Sequence, residues 1–321
     1  PLLVAALIVL ALANLLSALA PDYTVLLIGR VLAAAGAAGY TPTAGAASAS
    51  LVRPEMRARA LAVVIGGLTV ATAVGVPLGN AATQWMGWRT ALGAVAALCA
   101  VCAVGVLAVM PSLPGSPRVP LSTRLAVLRK PGIPAVLSLT TLGMAACYTA
   151  YAYSVPALNA VGVKSTTVTL VLFLYGLGAV VGNFFSGQAT DRIGAVGVLT
   201  VGYTVMAATF AVLAWLAATS THIVALAAAM AFTWGASSWC QTPAQQHRLI
   251  AVAPQEAPLV VSLNSSGIYL GIGLGTVLGG LTLPTGVWLT YALGGLVALV
   301  ALAWLRIKAQ PIDGEGAGGR R

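Results

Sequence analysis

The sequence predicts an all-α polytopic membrane protein, and three observations carry that prediction. Charged residues make up 7% of the 321 residues, where water-soluble domains carry about 25%. Hydrophobic residues make up 59%, and mean hydropathy is +0.96. The apolar residues also fall in stretches near the length a bilayer-crossing helix needs, about 20 residues.

Ten such stretches follow one another, at 1–20, 23–52, 60–84, 89–110, 133–158, 166–188, 195–218, 222–246, 258–283 and 286–306. Turn and charge signals separate them. They include Ala20-Pro21-Asp22, the basic run from Arg53 to Arg59, Trp85-Met86-Gly87-Trp88-Arg89 and Asp191-Arg192-Ile193-Gly194. The net charge of +10 comes from 16 Lys and Arg against six Asp and Glu. With the chain start on the cytoplasmic side, thirteen of those 16 cations fall in inner segments. Such a bias sets membrane orientation, and it puts the C-terminus in the cytoplasm. The cations are too scattered for a nucleic-acid footprint, which needs a basic face or stripe.

The longest inner connection, 111–132, is basic and proline-rich, with Pro111, Pro114, Pro117, Pro120 and Pro131. It separates a four-helix portion, 1–110, from a six-helix portion, 133–308, and a polar tail at 309–321 reads as disordered. Shifting the chain by 201 residues superposes Thr41-Pro42 on Thr242-Pro243, Glu55 on Glu256, Gly66 on Gly267 and Gly79 on Gly280. Matched stretches run in the same direction, so the repeat is parallel and six helices long. Two transporter halves related by an axis along the membrane normal show that relation. A six-plus-six arrangement has twelve helices, ten of which are present here. The expectation is a chain lacking its first two helices, as a fragment or a start placed too late, because it opens on Pro1 inside an apolar run.

These features resemble the major facilitator superfamily. Gly187 to Gly194, with Asp191-Arg192 between, is similar to the second copy of its loop motif. Gly29-Arg30 with Gly36 and Gly39 resembles its fourth-helix arginine motif, and Gly67, Gly75, Pro77 and Gly79 its fifth-helix glycine–proline motif. That last motif usually has Gly before Pro, where Val76 stands here. Gly75 to Gly79 leading to Gly87-Trp88-Arg89, and Ser262 to Gly267 leading to Gly279-Gly280, resemble the bacterial drug/proton antiporter family. Within it the arabinose-efflux-permease and chloramphenicol-resistance group is most alike. The resemblance implies a monomer in the cytoplasmic membrane that exports drug-like molecules or metabolites, such as sugars and antibiotics, by alternating access. Protons are the expected coupling partner.

Arg30 is the one charge within a predicted span, which costs several kcal/mol unless it is paired or wet. It reads as a cavity arginine or as a side chain snorkelling to the outer surface. The resemblance makes Asp191 and Arg192 a gating latch, with Gly187 and Gly194 shaping the turn and Asp191 facing the start of the third span near Arg59. An ordinary charged turn is the alternative. Gly75, Pro77 and Gly79 read as packing positions with Pro77 a point of flexure. Gly267, Gly271 and Gly275 form one stripe at the four-residue spacing of close helix contacts. Trp234, Ser238, Gln241 and Gln245 line one face of the eighth span, and Tyr148 pairs with Tyr151 on the fifth. Both groups read as cavity lining for a flat, weakly polar molecule or as core packing, and Asn264, Ser265 and Asn183 as cavity polar groups or interhelical glue.

No Asp or Glu lies mid-span, so a proton-carrying carboxylate belongs to the absent helices or is not used. His222 and His247 fall at span ends. Cys99 and Cys102 match a redox spacing but lie mid-span, where packing is the expected role. There is no nucleophile–base signature, no metal-ligand cluster and no cofactor fingerprint; the Gly271/Gly273/Gly275 run lacks a preceding strand. The expectation is a transporter and not an enzyme. Its rivals are a ten-helix drug/metabolite-type transporter built on an inverted repeat, and a truncated chain without activity.

Overall fold

The computed structural model describes residues 2–53, 56, 60, 63–64, 67, 70–111 and 126–313. Among these there is no strand, and helices occupy all ten predicted stretches. They are α1 (Leu2–Ala18), α2 (Tyr23–Ser50), α3 (Val76–Val109), α4 (Ile133–Tyr151), α5 (Ser154–Ala160), α6 (Ser165–Ala218), α7 (Val224–Trp239), α8 (Gln241–Val252), α9 (Ala257–Thr282) and α10 (Val287–Asp313). The chain divides into two compact units, Pro1–Arg118 and Val119–Arg321, within the predicted connecting segment.

Helix lengths show how the chain crosses the bilayer. α3 has 34 residues and α6 has 54. As straight rods they would measure roughly 50 and 80 Å, against a hydrocarbon core of about 30 Å. Each is broken once, at Gly87 (φ 80°) and Gly194 (φ 73°). A left-handed residue turns the chain sharply, and only glycine adopts it without a Cβ clash. α6 is therefore two crossings joined at one glycine, while in α3 the break at Gly87 parts a crossing-length arm, 88–109, from a shorter arm that continues the π-helical turn before it. The loop expected around Asp191-Arg192 is instead helical up to Ile193, because nothing before Gly194 interrupts the hydrogen-bond ladder.

Other boundaries follow from local chemistry. Asp22 caps α2, its Oδ1 accepting from the Val25 N–H at 2.9 Å. Pro77 lacks an N–H and crowds the carbonyl four residues back. The five-residue π-helical turn Ala71–Gly75 lies just before it and absorbs that mismatch. α7 and α8 meet at Cys240, whose backbone stays right-handed, so they continue one crossing. The last helix continues to Asp313.

In the first unit α1 packs against both α2 and α3. Gly29 and Gly36 of α2 lie where a side chain would meet Ser17, Ala13 and Leu10 of α1. In the second unit α6 packs on α7, α8 and α10, and α4 on α9 and α10. Its core is aromatic and aliphatic, centred on Tyr175, Tyr203, Met206, Phe210, Leu213, Trp234 and Tyr291. Close approach holds the seams. Cβ atoms on Gly271, Gly275 and Gly279 would run into the backbone oxygens of Thr141, Ala145 and Thr149 on α4, and one on Gly267 would touch that of Leu137. Both sets advance by four residues, so two matched stripes meet backbone to backbone. Lipid gives no hydrophobic drive between helices, and this contact supplies dispersion attraction instead.

Helix boundaries also repeat with the 201-residue shift. α2 at 23–50 maps onto 224–251, which is the combined extent of α7 and α8 to within a residue.

Candidate functional site

In the first unit the structure ties Arg30 sideways. Its Nη2 donates to Asn14 Oδ1 at 2.8 Å and to Ser17 Oγ at 3.1 Å, and its Nε donates to Ser17 Oγ at 3.2 Å. Asn14 and Ser17 are anchored in turn to the carbonyls of Leu10 and Ala13. The glycine before Arg30 lets α2 approach α1 closely enough for this bridge. The guanidinium is exposed but held in a neutral polar bracket, with no acidic group among these partners. Glu55, Arg57 and Arg59 lie outside the described residues, as does Gly66.

In the second unit Tyr148, Tyr151 and Trp234 come together, joined by residues the sequence reading did not single out. Tyr151 stacks on Tyr175 at 4.4 Å between ring centroids and meets Tyr148 edge-on at 5.1 Å. Trp234 stands edge-to-face to Tyr175 at 5.2 Å and to Phe210 at 5.3 Å, with Tyr291 at 6.3 Å. Such pairs contribute about 0.5–1.5 kcal/mol each beyond burial. The Tyr175 hydroxyl accepts from Trp239 Nε1 at 3.3 Å and lies 3.3 Å from the Cys147 thiol. The Tyr291 hydroxyl is buried without a hydrogen-bond partner among the described residues, and the buried Trp234 indole N–H faces the Cys147 thiol.

Below this cluster runs a polar spine. Tyr203 donates to Gln241 Oε1 at 2.9 Å, and Gln241 Nε2 donates to the Ser238 carbonyl at 2.9 Å. Gly143 leaves the room: a methyl there would strike the Gln241 side chain and the Tyr203 ring. Ser238 Oγ donates to the Trp234 carbonyl at 2.7 Å, Gln245 Nε2 to the Val136 carbonyl at 3.5 Å, and Arg248 Nη1 to Gln245 Oε1 at 3.4 Å. Thr140 Oγ1 donates to Asn264 Oδ1 at 2.9 Å, a contact between α4 and α9 of the kind one of the two readings of Asn264 describes.

Trp234, Ser238, Gln241 and Gln245 are 2%, 0%, 1% and 0% exposed. In this conformation they pack inside the second unit, while Tyr148 and Tyr151 remain partly exposed at its edge. The physical reason is reach: Tyr203, Tyr175 and Phe210 come from both arms of α6 and enclose α7 and α8. Tyr203, Tyr175 and Tyr291 stand alone in apolar stretches. A mid-span tyrosine needs a partner for its hydroxyl, which is the signal that could have found them.

Asp191 and Arg192 are exposed on the first arm of α6, just before the Gly194 break. Arg192 lines a shallow cleft of about 240 Å³ with Phe185, Gln188, Ala189 and Ile193. Gly187 has open space around it. Gly75 closes the π-helical turn, Pro77 is buried at the start of α3, and Gly79 meets nothing within 4 Å. His222 and His247 are exposed, and the four cysteines are free.

A model of the Major Facilitator Superfamily matches residues 1–247 and 137–320. The chain is 28% identical over 304 residues to the uncharacterized MFS-type transporter YbcL of Bacillus subtilis, covering 93% of this chain and 76% of that protein. It is 29% identical over 302 residues to the inner membrane transport protein YdhP of Escherichia coli K12, with the same coverage. It is 30% identical to the uncharacterized MFS-type transporter YfhI of Bacillus subtilis over 294 residues, covering 88% and 70%. Among solved structures it is similar to a bacterial homologue of the human lysosomal transporter Spinster, inward-facing and occupied. That match has a TM-score of 0.66 and 19% identity, covering 97% of this chain and 81% of that one. The fucose:proton symporter of Escherichia coli matches with a TM-score of 0.59 and 14% identity, covering 95% and 83%. These matches set aside the inverted-repeat alternative.

Proposed function

Because the chain belongs to the Major Facilitator Superfamily and is thus a multi-pass membrane transport protein, we propose that it exports small drug-like molecules or metabolites across the cytoplasmic membrane. Export proceeds by alternating access and is driven by protons, with the C-terminus in the cytoplasm and the chain acting as a monomer. The aromatic cluster carries this reading. Tyr148 and Tyr151 offer ring faces backed by Tyr175 and Trp234, next to neutral amides and hydroxyls and with no carboxylate among the residues described there. Electron-rich rings and neutral donors suit a flat, weakly polar molecule or a delocalised cation.

Arg30, held by Asn14 and Ser17, is the fixed positive charge of the transport path. Asp191 and Arg192 act as the gating pair, and Gly187 and Gly194 set the turn at which they sit. The π-helical turn with Gly75, Pro77 and Gly79 supplies the flexure. No proton carrier is assigned, because the described Asp22, Asp191, Glu256 and Asp313 sit at a cap, a helix break, a turn and a helix end.

The test uses everted membrane vesicles carrying the full chain, with ethidium and chloramphenicol as probes. Uptake above the empty-vector level that collapses on adding a protonophore supports the proposal. Tyr151→Ala should raise the half-saturation concentration about 2- to 10-fold, the worth of one ring contact. Uptake of neither probe above the empty vector, or uptake indifferent to the protonophore, would refute it as written.

A further inference from the structure

We propose that residues 126–130, which immediately precede α4, form a releasable strap across the adjoining ends of α4, α8 and α9. The backbone there makes a helical turn, with Arg129 N–H donating to the Ala126 carbonyl and Lys130 N–H to the Val127 carbonyl, both at 3.1 Å. Val127 is 3% exposed. It plugs a small apolar cluster separate from the main core, formed by Ile133 and Val136 of α4, Leu249 of α8, Ala253, and Val260 of α9. Lys130 Nζ then sits 2.7 Å from Glu256 Oε1, in the 3-10 turn between α8 and α9. Gly132 takes a positive φ of 92° that turns the chain from the strap into α4.

Two features make this contact a strap that can let go. The ion pair is half in water, its side chains 39% and 30% exposed, and such pairs hold weakly. The second carboxylate oxygen of Glu256 is buried with no hydrogen-bond partner among the described residues, so one side of the carboxylate is desolvated while the other is fastened by Lys130. One buried valine with the half-buried Leu128 packed beside it, and one ion pair, place the segment at the low-stability end of the fold. When the strap lifts, it uncovers Ile133, Val136, Leu249 and Val260 and frees α8 and α9 from the segment that leads into α4. Arg129, exposed on the outer side of the turn, takes no part.

The test measures thiol labelling by a sulfonated maleimide in membranes opened to both sides, using the full chain and subtracting the parent's own four cysteines. Val127→Cys is near in size to valine and reports docking, and Arg129→Cys reports the fully accessible rate. Val127→Cys should label much more slowly than Arg129→Cys. Adding Glu256→Gln or Lys130→Glu should speed Val127→Cys labelling about 2- to 5-fold, the worth of a half-exposed ion pair. The charge swap Lys130→Glu with Glu256→Lys should return it to within twofold of the parent. The swap also separates loss of the pair from loss of folding, since a misfolded chain is not rescued by reversing both charges. Equal rates at the two cysteines would overturn the docked strap. An unchanged rate in Glu256→Gln, or a swap that labels as fast as its single variants, would overturn the ion pair as its fastening.

Discussion

The seam between α4 and α9 sets up a sharp contrast within one helix. A Cβ built on Gly275 lies 2.5 Å from the Ala145 carbonyl oxygen, 3.0 Å from Ala145 Cα and 3.0 Å from Thr149 N, all backbone atoms that cannot rotate away. One built on Gly273, two residues earlier, meets nothing within 4 Å. Ordinary contacts need about 3.5 Å or more between heavy atoms, so Gly275→Ala must push the helices apart by roughly half an ångström to an ångström. A gap of that size forfeits a quarter to a half of each dispersion contact along the seam, and overpacking costs about 1–3 kcal/mol. Gly273→Ala carries no such clash and gains helix propensity, at most about 1 kcal/mol. For a unit of this size 1 kcal/mol moves the melting point about 2–4 °C. Gly275→Ala should thus lower it by about 2–12 °C, while Gly273→Ala leaves it level or slightly higher. The assay heats detergent-purified protein and measures the monodisperse fraction by size-exclusion fluorescence. Gly271→Ala together with Gly275→Ala should cost less than the two single changes added, because the first separation makes room for the second methyl. Equal melting points for Gly275→Ala and Gly273→Ala would refute the backbone-contact account of the seam.

Three further outcomes follow from the same geometry. Gly194→Ala should destabilise by about 1–2 kcal/mol, the cost of a left-handed residue with a Cβ, whereas Gly187→Ala, in open space, should be neutral in the same heating assay. Tyr203→Phe removes the donor to the buried Gln241 Oε1 and should cost about 1–3 kcal/mol; a melting point equal to the parent's would show that the spine is not closed there. Arg30→Lys keeps the charge but loses the fork that spans Asn14 and Ser17; probe uptake should fall about tenfold or more while membrane yield stays near the parent's.

Crossings were legible in the sequence because their cause is local. Apolar length, the Asp22 cap, Pro77 and the glycines at 87 and 194 act within a few residues of where they stand, and the observed helices occupy each stretch they bound. The glycine stripe on α9 was legible for a similar reason, since a four-residue spacing is already a face. Its partner was not: nothing in the order of residues says that the stripe meets the carbonyls of Leu137, Thr141, Ala145 and Thr149. The aromatic cluster shows the limit most clearly. Tyr148 with Tyr151, and Trp234 with Ser238, were visible as single-helix pairs, but Tyr175, Phe210 and Tyr291 join them from far along the chain. Whether Gln241 lines a cavity or fills a core depends on Gly143 and Tyr203, which share no helix with it.

Setting the two units residue against residue at the 201-position shift shows a repeated scaffold carrying unrelated chemistry. Thr41-Pro42 and Thr242-Pro243 agree, as do the helix boundaries around them. The arginine bracket has no counterpart: Asn14, Ser17 and Arg30 map onto Trp215, Ala218 and Ala231. Nor does the polar spine, since Trp234, Ser238, Gln241 and Gln245 map onto Ala33, Ala37, Tyr40 and Ala44. Packing demands small residues and turns at the same places in both units, so those positions stay paired. A fixed charge is costly in the membrane, and so is an unsatisfied amide; each is present only where its own unit satisfies it, Arg30 by Asn14 and Ser17, Gln241 by Tyr203 and Ser238. Neither unit therefore holds a spare copy of the other's polar group, and removing Arg30 or Gln241 leaves a loss that its repeat mate, Ala231 or Tyr40, is chemically unable to make good.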